Sequence, residues 1–225
     1  MELIYPVSKF LQSLTLRAFA DWKVTGRENV PPMGGLIIVA NHRSNFDPSL
    51  LSTSIPRRVV FVAKKGVFKG PLATWFLRSY GAFPLDTEGF DIRANRWAIR
   101  HLERDQAVMI FPEGTRSRGG MNKARPGVAR LALMTQAPLL PVGITGTARL
   151  GTPLRVFNPT GKIRVNIGTA FSLPTIEGKP SDAVMDSLTD MIMQRIALLL
   201  PAAYRGTYGI KASRAATADE SSPSA

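Results

Sequence analysis

Residues 35–48 have the sequence Gly35-Leu36-Ile37-Ile38-Val39-Ala40-Asn41-His42-Arg43-Ser44-Asn45-Phe46-Asp47-Pro48. The first six are apolar or small, and their short run with β-branched side chains predicts a buried strand. Asp47 and Pro48 predict a helix start, with Asp47 as the N-cap and Pro48 at the first helical position. His42 therefore lies between a strand end and a helix start, where open α/β sheets bind ligands.

On both sides of this stretch, predicted strands and helices alternate along most of the chain. Short apolar or alternating runs predict further strands at 22–26, 57–64, 81–86, 106–111, 138–144 and 162–168. Periodic apolar residues predict helices over 6–20, 71–80, 90–104, 126–136 and 181–200. Pro138 and Pro141 place the strand over 138–144 at a sheet edge or at a strand end.

This alternation predicts a single α/β domain with a mixed, largely parallel sheet flanked by helices. A chain of 225 residues is long enough for one such domain with a sizeable core. We expect an amphipathic N-terminal helix within residues 1–22 and the main domain over 23–204. Residues 205–225 are rich in Ala, Ser and Thr, which predicts a disordered tail.

The composition excludes several classes of site. Cys is absent, so the chain has no disulfide, no thiolate zinc site and no Cys nucleophile. With 2 His and no Cys, the chain lacks the usual zinc ligands, and we expect no metal and no cofactor. No apolar run approaches the roughly 18–20 residues of a membrane span, and the N-terminus lacks a signal-peptide pattern. The sequence therefore predicts a protein that is soluble or lies on a membrane surface.

The net charge of +13 is concentrated in two segments of the chain. Residues 57–70 carry five Lys or Arg and no acid, and residues 113–130 carry five Lys or Arg against Glu113. A surface charged only for solubility would spread these residues. The clustering indicates an anionic partner such as a phosphate group, an anionic membrane or a nucleic acid.

The helix predicted over 6–20 has an apolar stripe at helical spacing, formed by Val7, Phe10, Leu11, Leu14 and Ala18. Two interpretations of this stripe remain open. The stripe packs on the core of the domain, or it lies in a membrane interface.

His42 and Asp47 are candidates for general-base chemistry. Neutral imidazole is the usual base near pH 7, and a carboxylate on its other nitrogen fixes the tautomer. A continuous helix would hold positions 42 and 47 about 140° apart, so the side chains meet only if the chain turns between them. A strand-to-helix junction provides that turn. The alternative is that Asp47 only caps the helix and His42 only packs.

A second candidate loop, Phe111-Pro112-Glu113-Gly114-Thr115-Arg116-Ser117, follows the strand predicted over 106–111. Gly114 permits a tight backbone, and the planar guanidinium of Arg116 suits a phosphate or carboxylate. The alternative is an ordinary turn with a Glu113–Arg116 surface pair. Both loops follow apolar strands, so we expect them at one edge of the sheet, with Lys64 and Lys65 adding charge there.

Together these segments resemble the motifs of the glycerolipid acyltransferases, the 1-acylglycerol-3-phosphate O-acyltransferase family. Residues 41–47 resemble its His-x4-Asp motif, and residues 111–117 are similar to its second hallmark. Residues 81–86 and 140–144 resemble its Gly-containing and Pro-bearing motifs. The order and spacing agree, and the resemblance covers about residues 20–170.

The resemblance implies a glycerol-3-phosphate acyltransferase-like fold and acyl transfer from acyl-CoA or acyl carrier protein. The acceptor would be the free hydroxyl of 1-acylglycerol-3-phosphate, and the product phosphatidic acid, at the cytoplasmic face of a membrane. It further implies that His42 is the base and that Asp47 orients it. Lys64, Glu113, Gly114, Thr115 and Arg116 would form the acceptor-phosphate site. The expected partners are a lysophospholipid, the acyl donor and an anionic membrane surface, without nucleic acid.

One departure from the family pattern leaves the acceptor open. The middle motif usually ends in Arg, and Thr87 stands there instead. Arg93 or Arg96 would then replace it, or the acceptor would be another lysolipid such as a lyso-aminolipid. Two other classes stay open from the residues alone: a non-catalytic basic protein that binds membranes or nucleic acid, and a metal-dependent His/Asp hydrolase.

Overall fold

The computed structural model describes residues 3–85 and 92–209. Its helices are α1 (Ile4–Phe19), α2 (Asp47–Ser54), α3 (Gly70–Ser79), α4 (Ile92–Leu102), α5 (Gly127–Thr135) and α6 (Asp182–Leu198). Its strands are β1 (Ala20–Thr25), β2 (Leu36–Ala40), β3 (Val59–Lys64), β4 (Ala82–Leu85), β5 (Ala107–Ile110), β6 (Leu139–Thr145) and β7 (Gly161–Ile167).

The strands form one 7-stranded sheet in the order β1-β7-β6-β2-β5-β3-β4. Strands β6, β2, β5, β3 and β4 are parallel to one another, and β7 joins them antiparallel to β6. Strand β1 then pairs in parallel with β7. This arrangement confirms the predicted α/β fold with a mixed, largely parallel sheet.

Strand β2 lies at the centre of the sheet, and all five of its side chains are buried. Ile38 and Ala40 pack with residues of α1 and α2, whereas Ile37 and Val39 pack with residues of α4, α5 and α6. Strands that are covered on both faces have continuous apolar runs, which explains why β2 does not alternate. The apolar run and the sheet layers therefore fix where β2 ends and the His42 loop begins.

The α1 helix packs on the core with a different face from the apolar stripe. Tyr5, Gln12 and Leu16 are buried, and the Gln12 amide donates to the carbonyl of Val156 at 3.3 Å. The apolar stripe, Val7, Phe10, Leu11, Leu14 and Ala18, points into solvent. The α1 helix is thus docked on the core, but through a face other than the apolar stripe. None of the helices within residues 3–85 and 92–209 has the length and apolar character that a membrane crossing requires.

Strand β6 lies between β7 and β2, so the prediction of an edge position is wrong. Pro141 is tolerated there because the β6–β7 ladder begins one residue later, with Val142 opposite Ile167. The Pro141 carbonyl still accepts from the Gly168 amide at 2.9 Å. The missing N–H of Pro141 thus falls at the end of that ladder, where it breaks no pairing.

The predicted limits of the domain need adjustment at both ends. The α1 helix ends at Phe19 and β1 begins at Ala20, within the range predicted for the N-terminal helix. Residues 206–208 form a 3-10 turn, and the Thr207 amide donates to the Met121 carbonyl at 3.1 Å, so a disordered tail does not begin at 205. Thr87 and residues 210–225 lie outside the described residues.

Candidate active site

The candidate loops meet at one edge of the sheet. Strands β2, β5 and β3 are mutually parallel, so their carboxyl ends lie together. His42 follows β2, the loop over 111–117 follows β5, and Lys64 is the last residue of β3. The expectation that these segments share an edge is confirmed.

The imidazole of His42 contacts the carboxylate of Asp47, with 2.9 Å between Nδ1 and Oδ2. The same Oδ2 accepts the backbone amides of Arg43 at 2.7 Å and Ser44 at 2.8 Å. The Asp47 side chain is fully buried, and that of His42 is 17% exposed. A buried carboxylate that collects three donors holds the ring in one orientation and leaves Nε2 for another partner.

Asp47 does not occupy the N-cap position that the sequence predicts. The N-cap is Phe46, so Asp47 is the first residue of α2 and Pro48 the second. The carboxylate of Asp47 turns back to residues 42–44 because the amides of Arg43 and Ser44 and the ring of His42 surround it. The turn between the strand and the helix therefore serves the His42–Asp47 contact rather than helix capping.

One face of the imidazole is covered by an aromatic ring. Phe111 stacks on His42 with 4.1 Å between ring centroids and 21° between ring planes. Phe111 comes directly after β5, so the sheet itself places this ring beside His42. The carboxylate and the phenyl ring together restrict the side-chain torsions of His42.

Glu113 joins the two loops of the site through its carboxylate. One carboxylate oxygen accepts the backbone amide of His42 at 2.9 Å, and the other accepts that of Asn122 at 2.8 Å. Glu113 is 3% exposed. Burial raises the pKa of its carboxyl above the usual range, although the hydrogen bonds from Asn122 and His42 oppose this. Glu113 therefore shapes the second loop and joins it to the His42 loop, and its place in the acceptor-phosphate site stays a prediction.

The rest of the second loop contacts the first loop through hydrogen bonds. Gly114 has a φ of +66°, a conformation that glycine adopts without strain. The Ser117 amide and hydroxyl both donate to the His42 carbonyl, at 2.8 and 3.1 Å. Thr115 and Arg116 are exposed immediately before Ser117. Arg116 therefore emerges beside the His42 loop.

Lys64 approaches the same edge from β3. Phe61 is opposite Met109 in the parallel register, and the two strands continue together towards residues 64 and 112. The Lys64 side chain is exposed. The structure thus brings the predicted cations to the edge that contains His42.

Two functional residues of the first loop had no predicted role. The Asn41 amide donates to the Ile144 carbonyl at 2.9 Å and accepts the Ile144 amide at 2.7 Å. The Arg43 guanidinium donates to the Arg118 carbonyl at 3.2 Å and lies 4.6 Å from the Tyr204 ring centroid. Both residues flank His42 in sequence, and a polar residue at the end of an apolar strand is the signal that marks Asn41.

The arrangement suits proton transfer from a hydroxyl group near an anion. A neutral imidazole fixed through Nδ1 can accept a proton at Nε2, and cations at the same edge can bind a phosphate. Within the part of the chain that the structure describes, no three His, Asp or Glu side chains meet closely enough to hold a metal ion.

Comparison with known proteins agrees with this chemistry. A family model described as Acyltransferase matches residues 21–145, a span that includes both loops. A 1-acyl-sn-glycerol-3-phosphate acyltransferase of Bacillus subtilis (strain 168) is 30% identical over 175 residues, which are 77% of this chain and 85% of that protein. The enzyme of the same name from Saccharomyces cerevisiae is 29% identical over 197 residues, 82% of this chain and 64% of that protein.

A solved structure shows the same architecture. The crystal structure of the 1-acyl-sn-glycerophosphate (LPA) acyltransferase PlsC from Thermotoga maritima superposes with a TM-score of 0.65 at 29% identity. The superposition covers 86% of this chain and 79% of that chain. The sequence match, the fold and the paired His42 and Asp47 agree, and the chain belongs to the acyltransferase family.

Proposed function

We propose that this protein transfers a fatty acyl group from acyl-CoA or acyl carrier protein to the free hydroxyl of 1-acylglycerol-3-phosphate. The product is phosphatidic acid, a precursor of phospholipids. The observation that carries the proposal is the distance of 2.9 Å between His42 Nδ1 and Asp47 Oδ2, at the sheet edge that also holds the 111–117 loop. The activities after which the bacterial and yeast relatives are named support the acceptor.

In the proposed reaction His42 is the general base. Its Nε2 takes the proton of the acceptor hydroxyl as the hydroxyl oxygen attacks the thioester carbonyl. The tetrahedral intermediate collapses when the carbon–sulfur bond breaks, and the leaving thiolate recovers the proton from the imidazolium. Asp47 stabilises that imidazolium through Nδ1, so no acyl-enzyme and no cofactor is required.

The exposed cations at the sheet edge account for the choice of a phosphorylated acceptor. Arg116 has a planar guanidinium that suits a phosphate monoester, and Lys64 supplies a second charge from β3. Gly114 and Thr115 complete the loop that presents Arg116, whereas Glu113 secures that loop from below. The acceptor phosphate is therefore proposed to bind Arg116 and Lys64 directly.

We propose that the protein acts at the cytoplasmic face of a membrane. No helix of the described residues is needed to span that membrane. The apolar stripe of α1 and the exposed Leu72, Trp75 and Phe76 of α3 lie on the same side of the sheet. Such an outward apolar face next to basic segments is typical of proteins that bind an anionic bilayer surface.

The decisive experiment replaces the base. His42→Ala removes the proton acceptor, and we expect thiol release from acyl-CoA with lysophosphatidic acid to fall by roughly 100- to 10,000-fold. The circular dichroism spectrum should be unchanged, because the side chain is partly exposed. His101→Ala is the matched control, since His101 lies on α4 and should retain normal turnover. Near-normal turnover of His42→Ala would refute the proposed role.

The acyl donor and acceptor are tested with a substrate panel. Product mass spectrometry with acyl-CoA and acyl carrier protein donors identifies the donor. A lysophosphatidic acid and a lyso-aminolipid, offered to the wild type and to Arg116→Ala, test the phosphate site. We expect Arg116→Ala to raise KM for lysophosphatidic acid. Acylation of the lyso-aminolipid alone would overturn the proposed acceptor.

A further inference from the structure

A cavity of about 410 Å³ lies along one flank of α1, away from His42. Lys9, Ser13 and Arg17 line it from α1, Trp22 and Arg27 line it from β1 and the turn that follows, and Ile55 lines it at the end of α2. Helix α2 runs away from the His42 loop, and Thr53 is its first residue in the cavity lining, so about 9 Å of helix separates this cavity from Asp47. The cavity is therefore distinct from the candidate active site.

The charge on the cavity wall is entirely positive. Lys9, Arg17 and Arg27 contribute cations, and no carboxylate is among the lining residues. The Lys9 ammonium donates to the Ile55 carbonyl at 2.5 Å, and the Arg27 guanidinium lies 5.6 Å from the Trp22 ring centroid. Burial lowers the pKa of Lys9, and the charge of Arg27 lowers it further. An anion in the cavity would relieve this repulsion.

The position of the cavity on α1 indicates what kind of anion fits. Lys9, Ser13 and Arg17 are spaced four residues apart and form one row along the helix. Phe10 lines the same cavity and also belongs to the apolar stripe, where it is 66% exposed. The basic row and the apolar stripe therefore run side by side, and a ligand with a charged head and an apolar chain can contact both.

We propose that this cavity binds the phosphate of an anionic membrane phospholipid that is not the acyl acceptor. The headgroup lies between Lys9, Arg17 and Arg27, and the acyl chains follow Phe10 and the apolar stripe into the bilayer. This proposal rests on the proposed membrane attachment. The apolar stripe alone would bind any bilayer, whereas the basic cavity makes binding selective for anionic lipids.

The main test measures vesicle binding of Arg17→Gln/Arg27→Gln, which keeps Lys9 and its bond to α2. Each cation near an anionic surface contributes roughly a factor of five to binding, so we expect a loss on the order of 30-fold on phosphatidylcholine vesicles that contain phosphatidylglycerol. Pure phosphatidylcholine vesicles should show little change. The control Arg96→Gln/Arg100→Gln removes two exposed cations from α4, in the opposite layer, and should bind normally. An equal loss in both variants would overturn the proposal.

A second measurement separates this site from the proposed catalysis. With a monomeric short-chain lysophosphatidic acid, the Arg17→Gln/Arg27→Gln variant should keep wild-type turnover, because neither residue contacts the His42 loop. Loss of vesicle binding with intact turnover supports the lipid site and leaves the proposed function untouched. Loss of turnover on the monomeric substrate would show that these residues act in the reaction and would refute a separate site.

The NMR signal of Trp22 distinguishes a lipid headgroup from free phosphate in the cavity. Its indole N–H is buried and has no hydrogen-bond partner within the described residues, so its NMR resonance should respond when the cavity fills. We expect saturable shifts with dihexanoyl phosphatidylglycerol below its micelle concentration, and weaker shifts with inorganic phosphate. A response to inorganic phosphate alone would assign the cavity to a free anion and overturn the lipid proposal.

Discussion

At the scale of single residues, Glu113 links the two loops of the site through a buried carboxylate. Its carboxylate holds the backbone of His42 and of Asn122 together, and it is buried while doing so. A charge in such a place is stabilised by backbone amides and destabilised by loss of water. The raised pKa of Glu113 shows that the loss of water is the larger effect.

This balance predicts how stability depends on pH. The pKa of Glu113 is higher in the folded protein than its value of 4.5 in an unfolded chain, so the folded state retains the proton longer as pH rises. The free energy of unfolding should therefore fall as pH rises from about 4.5 through the raised pKa. Glu113→Gln cannot ionise and should lose this part of the slope in urea titrations at several pH values.

The control for this experiment is Glu103→Gln. Glu103 is exposed just after α4, so its replacement controls for the loss of one carboxyl group from the protein. If Glu113→Gln and the wild type have the same slope, the Glu113 carboxyl does not titrate differently in the folded state. Burial would then not raise the pKa of the Glu113 carboxyl.

The roles of single residues were only partly predictable from sequence. The strand-to-helix junction and the residue types predict that His42 meets Asp47, and the contact of 2.9 Å confirms it. The orientation of Glu113 was not predictable, because it depends on an amide donated by Asn122, beyond the loop. Sequence position shows which loops meet, whereas the direction of a side chain depends on donors from elsewhere.

At the scale of elements, Asn41 joins the end of β2 to β6. Both its amide nitrogen and its amide oxygen bond to the backbone of Ile144, and Asn41 is 1% exposed. The link holds the strand end from which His42 emerges. Removal of a buried side-chain amide that bonds to two backbone groups destabilises the folded state, because both groups are left without partners.

Asn41→Ala should therefore destabilise the protein by roughly 3 kcal/mol, measured by chemical denaturation. Asn45→Ala is the matched control: Asn45 is exposed, its amide donates to the Gly151 carbonyl at 3.2 Å, and its loss should cost less than about 0.5 kcal/mol. Equal effects of the two substitutions would show that the Asn41–Ile144 link does not stabilise the sheet.

The elements themselves were largely predictable, with two instructive exceptions. Short apolar runs predict β2 and β5, which are covered on both faces of the sheet, and the helical period of apolar residues predicts α6, which packs on one face. Pro138 and Pro141 predict an edge strand or a strand end; β6 is internal, and Pro141 lies at the end of its ladder with β7. The apolar stripe of α1 predicts a core-facing or a membrane-facing surface, because both surroundings favour the same helical period of apolar residues.

At the scale of the whole molecule, the two layers of helices differ in what they expose. The α1 and α3 helices expose Phe10 and Trp75 with their apolar neighbours, and both cover the same face of the sheet. The other layer exposes isolated apolar residues such as Met134 and Leu198. Single exposed apolar side chains are ordinary, whereas a continuous apolar face indicates a binding surface.

This difference predicts the effect of paired substitutions on membrane binding. Phe10→Ser/Trp75→Ser removes two large apolar side chains, 66% and 51% exposed, from the proposed membrane face. Each is worth roughly 2 kcal/mol when buried, so co-sedimentation with vesicles should weaken by at least about 100-fold. Turnover of a monomeric lysophosphatidic acid should be unchanged, because neither side chain contacts His42 or Asp47. The stability of the protein should also be preserved, since both side chains are already exposed to water in the folded state.

Met134→Ser/Leu198→Ser is the matched control for this experiment. These side chains are 63% and 70% exposed, comparable to Phe10 and Trp75, but they lie on α5 and α6 in the opposite layer. If exposure alone determined attachment, both pairs of substitutions would weaken binding equally. If the α1–α3 side of the sheet meets the bilayer, only the first pair does, and the carboxyl edge with His42 is then held beside the membrane that contains the acceptor. Equal weakening by both pairs would contradict this orientation.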